Sequence, residues 1–373
     1  MIFMQIMFSF ILISRLKSRV TKNNLKLFST SDSQIFASLC NLTTVYDAYK
    51  FASDYFTRGG IPDAESSARF LVCDATKIGY RMSDFNRNRI KSISDTDRLT
   101  ISSHIERRLK REPVQYIIGN WDFFGHIFEC LAHILIPRPE TEELVEKVLS
   151  SLQSINFTNP RILDIGTGTG VIGISLLSAI PNATCTAIDI NPEAITLAVR
   201  NAKVVLRGRN PERFKCIYAS FDKFVEDLSI KGYSQCFDII VSNPPYIPTH
   251  EMDTLAEDVK EYESEVALHG GFDGLEVVRS IVVNSPKLLS ESGTNEVWLE
   301  VSESHPDKVT GLFHNRYRDN CLLGKSGLES SISSQDSAFV ETIQTCYTDV
   351  KGFNDLSGNP RFIMLKRSIN GLK

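Results

Sequence analysis

Ile162-Leu163-Asp164-Ile165-Gly166-Thr167-Gly168-Thr169-Gly170, running on into Val171-Ile172-Gly173-Ile174-Ser175-Leu176-Leu177, decides the fold. A short apolar strand, a glycine turn and the start of an apolar helix, in that order, make a backbone cradle for a cofactor. The spacing of Gly168, Gly170 and Gly173 also fits a dinucleotide site. Asp164 weighs against that reading. A carboxylate entering the turn repels a pyrophosphate, whereas it suits the ammonium of the methionine part of S-adenosylmethionine. Further on, Thr186-Ala187-Ile188-Asp189 reads as the next strand, ending in an acid placed to accept hydrogen bonds from ribose hydroxyls. Both cofactor classes carry a ribose, so Asp189 does not separate them.

A second motif stands at the end of another buried-strand run. Phe237-Asp238-Ile239-Ile240-Val241-Ser242 leads into Asn243-Pro244-Pro245-Tyr246, and in open α/β sheets ligands bind where strands end. Asn243 offers both an acceptor and donors. The two prolines fix φ at successive residues and bias Asn243 toward an extended backbone. The result is a stiff polar hook with an aromatic lid, suited to a planar group bearing an NH2. A side-chain amide and the exocyclic amine of a base both qualify, and the plain alternative is a proline-rich turn. Around these motifs the chain alternates. Arg161–Ile165, Thr184–Asp189, Phe214–Tyr218, Phe237–Ser242 and Glu296–Val301 read as strands, with helical patterns between several of them, which predicts a mostly parallel sheet covered on both faces.

In this order the two motifs resemble the class I S-adenosylmethionine-dependent methyltransferases that act on amino or amide nitrogens. Three further stretches narrow the match: Glu112-Pro113-Val114-Gln115-Tyr116-Ile117-Ile118-Gly119, Leu135-Ile136-Pro137-Arg138-Pro139-Glu140-Thr141-Glu142 and Gly270-Gly271-Phe272-Asp273-Gly274-Leu275. With them the chain resembles the HemK/PrmC family, the peptide chain release factor N5-glutamine methyltransferases, from about Arg58 to Arg361. The resemblance implies an α/β, Rossmann-like, mostly parallel seven-stranded sheet with a small N-terminal helical domain that helps recognise the protein substrate. It implies S-adenosyl-L-methionine as cofactor, held by Gly166, Thr167, Gly168, Thr169, Gly170 and Asp189, with Asn243 touching both cofactor and substrate. An aromatic residue after the third strand covers the adenine in this family, and Phe221 is the candidate; Ser220 stands where an acid is usual. Arg138 and Glu140 match the family's linker motif, to close over the cofactor or simply to start a helix. Asn243, Pro244 and Tyr246 are the expected catalytic residues, and Asn243, Pro244, Pro245 and Tyr246 the expected substrate contacts.

Composition sets the frame. A chain of 373 residues with 42% hydrophobic content buries a substantial core and favours two domains over one. Met1 to Ile13 is apolar but too short to cross a bilayer. Arg15, Lys17, Arg19, Lys22 and Lys26 follow among Ser and Thr, with no acid before Asp32. That is the composition of an organelle transit peptide over residues 1–34, with a secretory signal as the competing reading. The expected location is the mitochondrial matrix. The expected domains are then residues 35–112, helical; 113–138, a hairpin linker; and 139–373, catalytic, with a Ser-rich inserted loop near 326–337. Here Pro62-Asp63-Ala64-Glu65 is a helix start signal, and a further helix covers about Asp95 to Lys110.

The net charge is −4, and becomes about −8 without residues 1–34, which argues against general affinity for nucleic acid. Arg107, Arg108, Lys110 and Arg111 are the one candidate phosphate patch, a charge run of the kind that is more often a solvated helix face. The eight cysteines form no C-x-x-C pair, which fits a reducing compartment and implies no metal. A monomer without membrane or direct nucleic-acid partners is expected.

An amide nitrogen is a poor nucleophile because its lone pair is delocalised into the carbonyl. Two acceptors for its hydrogens, the Asn243 side-chain oxygen and the Pro244 carbonyl, would turn that lone pair toward a methyl donor, while Tyr246 stacks on the amide plane. The leading reading is methylation of the glutamine of the Gly-Gly-Gln (GGQ) motif in an organellar class 1 release factor. A DNA or RNA adenine-N6 methyltransferase is the alternative, and a binding protein that keeps the fold without catalysis is a third.

Overall fold

The computed structural model describes residues 30–291, 293–314 and 334–368. It divides into two compact units, residues 1–118 and 119–373. Of the proposed leader, residues 1–29 lie outside the described residues, and a helix opens at Thr30.

The first unit is helical, built from Thr30–Leu39, Val45–Arg58, Ala64–Ala75, Met82–Asn88, Asp95–Leu109 and Val114–Ile118. Two of these helices begin in reciprocal capping boxes, Thr44 with Asp47 and Ser94 with Asp97, each satisfying two otherwise orphaned N–H groups. Ala64–Ala75 starts at the expected signal, although Asp63 sits at φ 51° and makes no side-chain cap. The candidate phosphate patch is largely spent inside this unit. Arg107 is paired with Glu112 and donates to the Ile117 and Tyr116 carbonyls. Arg108 is buried and donates to Ser67 and to the Arg111 and Glu112 carbonyls. Guanidinium groups occupied in this way fasten the end of a helix to the turn and the short helix Val114–Ile118 after it.

The second unit opens with a hairpin, β1 (Asn120–Phe123) and β2 (His126–Glu129). Its seven-stranded sheet has the order β5-β4-β3-β6-β7-β9-β8. The strands are β3 (Arg161–Ile165), β4 (Thr184–Asp189), β5 (Phe214–Tyr218), β6 (Ile239–Ser242), β7 (Glu296–Glu300), β8 (Tyr347–Asn354) and β9 (Pro360–Arg367). β3 through β7 are parallel, while β9 is antiparallel to both β7 and β8. The strand order reverses between β3 and β6, and a crevice opens outside the carboxyl ends of such a pair.

Both sheet faces are covered, which is why the central strands read as continuous apolar runs. Ile162, Ile239 and Val241 face Leu144, Val148 and Ile172 on one side. Leu163, Ile240 and Leu299 face Phe224, Val278 and Ile281 on the other. The expected Ser-rich loop near 326–337 is corrected over residues 334–337 only. Residues 326–333 lie outside the described residues, but Ser334–Cys346 is a helix, because Phe339 and Ile343, one turn apart, are buried in the second cluster.

Asp238 aligns the two strands that flank the crevice. Its Oδ2 accepts from the Arg161 N–H at 2.8 Å and from Nε at 3.0 Å, and its Oδ1 accepts from the Arg161 guanidinium and the Ser290 hydroxyl. Burial pushes its pKa up, but Arg161 and Ser290 outweigh burial and hold it below the usual carboxylate value. A depressed folded-state pKa gives stability that is present above the unfolded value and lost as pH falls through the folded one. Asp238→Asn is therefore expected to cost about 2–3 kcal/mol at pH 7. Urea unfolding at pH 7 and at acid pH checks this: the loss should shrink in acid.

Candidate active site

The crevice at the β3/β6 switch point holds a cavity of about 300 Å³. Its floor is the glycine turn. Gly168 takes φ 54° and Gly170 φ 87°, a left-handed region that side chains disfavour. At Gly170 a Cβ would also meet Ile174 Cδ1 at 2.6 Å, so the turn closes onto the helix Val171–Ala179 only with glycine there. Beside Gly166 and Gly168 a Cβ would meet nothing within 4 Å. That free space is the cradle.

Asp164, whose charge suits the ammonium of the methionine part, makes its own hydrogen bonds within the turn and the helix after it. It is fully buried and lies outside the cavity wall; its Oδ2 accepts from the Thr167 hydroxyl at 2.7 Å and the Gly173 N–H at 3.1 Å. Burial raises its pKa to about 6. Its Oδ2 braces the turn, while its Oδ1, also buried, has no hydrogen-bond partner among the described residues. Asp189, by contrast, ends β4 in the cavity wall. Its Oδ2 accepts from the Gly168 N–H at 2.9 Å and its Oδ1 from the Asn191 N–H at 2.8 Å. The Ile190 N–H also acts on this carboxylate, and its acceptor sites are still not all taken, which leaves room for a hydroxyl. Burial shifts the pKa of Asp189 upward, against these N–H bonds.

Gly166, Thr167, Gly168, Thr169, Asp189, Phe221, Asn243 and Pro245 all line this one cavity, whereas Gly170, Pro244 and Tyr246 do not. Phe221 is buried as the first residue of the helix Phe221–Ile230, with the Ser220 hydroxyl accepting from the Lys223 N–H at 3.3 Å. Ser220, where an acid was usual, is thus a helix cap. Asp222, the next residue, lines the cavity; sequence reading passed over it. Arg138 stands in the wall and pairs with the buried Glu263 at 2.5 Å, while Glu140 does not line the cavity.

Asn243 leaves β6 and places its side chain beside Thr141, with Nδ2 donating to Oγ1 at 3.2 Å. Thr141 in turn donates to Glu300 Oε2 at 2.8 Å. No donor for the Pro244 carbonyl is found among the described residues. Tyr246 is half-buried, and its hydroxyl pKa is pushed up to about 12 by burial and by the Glu300 carboxylate, opposed by Arg361 and Arg138. Thr141 and Glu300 were not foreseen. Glu300 was legible in principle, as a charge ending the apolar run Val297-Trp298-Leu299 in the way Asp189 ends its own strand.

Asn201 is another residue the sequence did not mark. Its Nδ2 donates to the Thr169 carbonyl at 2.9 Å and its Oδ1 accepts from the Glu129 N–H at 2.8 Å, tying the hairpin to the glycine turn.

A glycine cradle and a strand-end carboxylate after β3 and β4, beside an Asn-Pro-Pro-Tyr hook after β6, define a class I S-adenosylmethionine-dependent methyltransferase. The residues fit that cofactor: there is free space along the turn, and Asp189 keeps lone pairs for a ribose. Two family models match, the Methyltransferase small domain over residues 143–271 and the PrmC N-terminal domain over 47–119. The human MTRF1L release factor glutamine methyltransferase is 33% identical over 289 residues, covering 74% of this chain and 82% of that protein. The release factor glutamine methyltransferase of Deinococcus radiodurans is 36% identical over 242 residues, covering 65% and 81%. That of Geobacter sulfurreducens is 33% identical over 282 residues, covering 76% and 92%. The chain belongs to the release factor glutamine methyltransferase family.

Proposed function

We propose that this chain transfers a methyl group from S-adenosyl-L-methionine to the side-chain amide N5 of the glutamine in the GGQ motif of an organellar class 1 peptide chain release factor. The observation that carries the reading is the position of Asn243, in the wall of the glycine-turn cavity at the end of the strand next to β3. When bound, the cofactor supplies an activated methyl group on a sulfonium. Asn243 Oδ1 and the Pro244 carbonyl accept the two amide hydrogens and so aim the nitrogen lone pair. Tyr246 covers the amide plane and excludes water. Asp189 takes the ribose hydroxyls and Phe221 packs on the adenine. Positioning is the main catalytic contribution, and no strong base is required before transfer, since the nitrogen turns acidic only as the new bond forms.

Within this reading the protein acts as a monomer in the mitochondrial matrix. The basic, acid-poor leader supports the location, and imaging of a leader fusion tests it. No described helix is long and apolar enough to cross a membrane. An adenine-N6 methyltransferase would need to extrude its base and neutralise phosphates; the pairing of Arg107 and the burial of Arg108 take two of the four basic residues of the patch that would have favoured it. Salt-sensitive DNA binding with methyl transfer to adenine would reverse the choice.

Tyr246→Ala is expected to raise KM for the release factor and lower kcat, and Tyr246→Phe to do so much less, because stacking needs the ring. Steady-state kinetics of both variants check this. Equal damage in the two would show that the hydroxyl carries the effect.

A further inference from the structure

We propose that Thr141 and Glu300 are positioning residues that fix which end of the Asn243 side-chain amide faces the substrate. The inference rests on the glutamine reading of the site, in which the Asn243 oxygen must meet the substrate NH2.

The physical basis is the single proton of a threonine hydroxyl. Thr141 Oγ1 lies 2.8 Å from Glu300 Oε2, and an ionised carboxylate only accepts, so the Thr141 proton is committed to Glu300. Oγ1 is left with lone pairs alone. The Asn243 group 3.2 Å away is Nδ2, a donor. Turned end for end, the amide would set its oxygen against the Thr141 lone pairs, acceptor facing acceptor. The NH2 end is therefore held at Thr141, and Oδ1 is the end left for a ligand amine. Asparagine alone has no such preference, because its two ends are nearly the same size.

The fold delivers the three residues separately. Asn243 follows β6, Glu300 ends β7 with Leu299 paired to Ser242, and Thr141 lies in the first turn of the helix Pro139–Ser154. Thr141 and Glu300 are both buried, so the bond between them is shielded from water, while the Asn243–Thr141 bond lies at the cavity wall. The charged and titratable groups around Glu300 are Arg361 from β9, Arg138 and Glu140 from the start of that helix, and Tyr246 beyond β6. Burial pushes the Glu300 carboxyl up to about 7, against the Thr141 bond and Arg361. Once protonated, Glu300 becomes a donor to Thr141. The Thr141 proton is then free to turn toward Asn243, and the amide is no longer held one way round. A group with a raised pKa in the working enzyme loses its charged form as pH falls, so kcat should drop on the acid side of neutrality.

The test compares wild type with Thr141→Val, Thr141→Ser and Glu300→Gln, using labelled S-adenosyl-L-methionine and a release factor. Thr141→Val, which keeps the shape but not the hydroxyl, is expected to lower kcat by roughly 10- to 100-fold, with a much smaller change in cofactor Kd by calorimetry. Thr141→Ser should recover most of that loss. Glu300→Gln should lower kcat and abolish the acid limb of the kcat profile. An unchanged kcat in Thr141→Val, or the wild-type pH profile in Glu300→Gln, overturns the proposal.

A readout without substrate separates this from the function itself. In protein carrying 13C-labelled glutamate carboxyls, with Glu300 assigned by its loss in Glu300→Gln, Thr141→Val should raise the Glu300 titration midpoint. An unmoved midpoint overturns the hydrogen-bond chain whatever the substrate proves to be. A wild type that leaves the release factor unmethylated overturns the glutamine reading instead.

Discussion

Asn243→Ala is expected to lower kcat by at least about 10³-fold. Two effects combine in that loss. The variant removes one of the two acceptors that hold the amide hydrogens, and the nitrogen is then free to rotate its lone pair away from the methyl donor. It also leaves the Thr141 hydroxyl without the amide donor it now accepts from at 3.2 Å. Cofactor binding should be weakened but measurable, because Asp189 and the glycine turn are untouched. The measurement is single-turnover methyl transfer beside calorimetric titration of S-adenosyl-L-methionine. Full activity in the variant would refute the amide-holding role.

Asp189→Ala should act on the other side of the site. Hydrogen bonds from ribose hydroxyls to a carboxylate contribute about 1.5–3 kcal/mol each, so losing two should raise the cofactor Kd by roughly 10²- to 10⁴-fold. Asp189 also anchors the Gly168 and Asn191 N–H groups, at 2.9 and 2.8 Å. For that reason Asp189→Asn should be nearly as damaging as Ala: one of the two oxygens becomes an NH2, and a donor then faces a backbone donor. At saturating cofactor kcat should recover in both variants much further than in Asn243→Ala. If Asp189→Asn binds the cofactor as tightly as wild type does, the ribose assignment is wrong.

The parts of this molecule that were legible in its sequence are those fixed by local chemistry. Strand, glycine turn and helix at residues 162–177 are contiguous, and the backbone demands of Gly168 and Gly170 are set by their own φ angles. Asp189 and Asn243 could be marked because each ends an apolar run. What escaped depends on neighbours far along the chain. Thr141 meets Asn243 and Glu300 only because the sheet places β6 beside β7, and no local pattern announces such a pairing. The bracing role of Asp164 escaped for the same reason: its burial, and its bond to the Gly173 N–H nine residues on, follow from how the turn folds back over it. Arg107 and Arg108 looked like a solvent-facing charge run until their carbonyl partners in the following turn and short helix were seen. The helix from Ser334 was hidden by composition, since serine-rich sequence reads as loop unless the packing of Phe339 and Ile343 is known.

The central claim is that the Asn-Pro-Pro-Tyr hook presents a glutamine amide to the methyl donor. Its most direct measurement is transfer of labelled methyl from S-adenosyl-L-methionine to a class 1 release factor, repeated on the same factor with the glutamine of its GGQ motif changed to Ala. The structure predicts label in the first, recovered as N5-methylglutamine, and none in the second. Equal labelling of the two factors would contradict it.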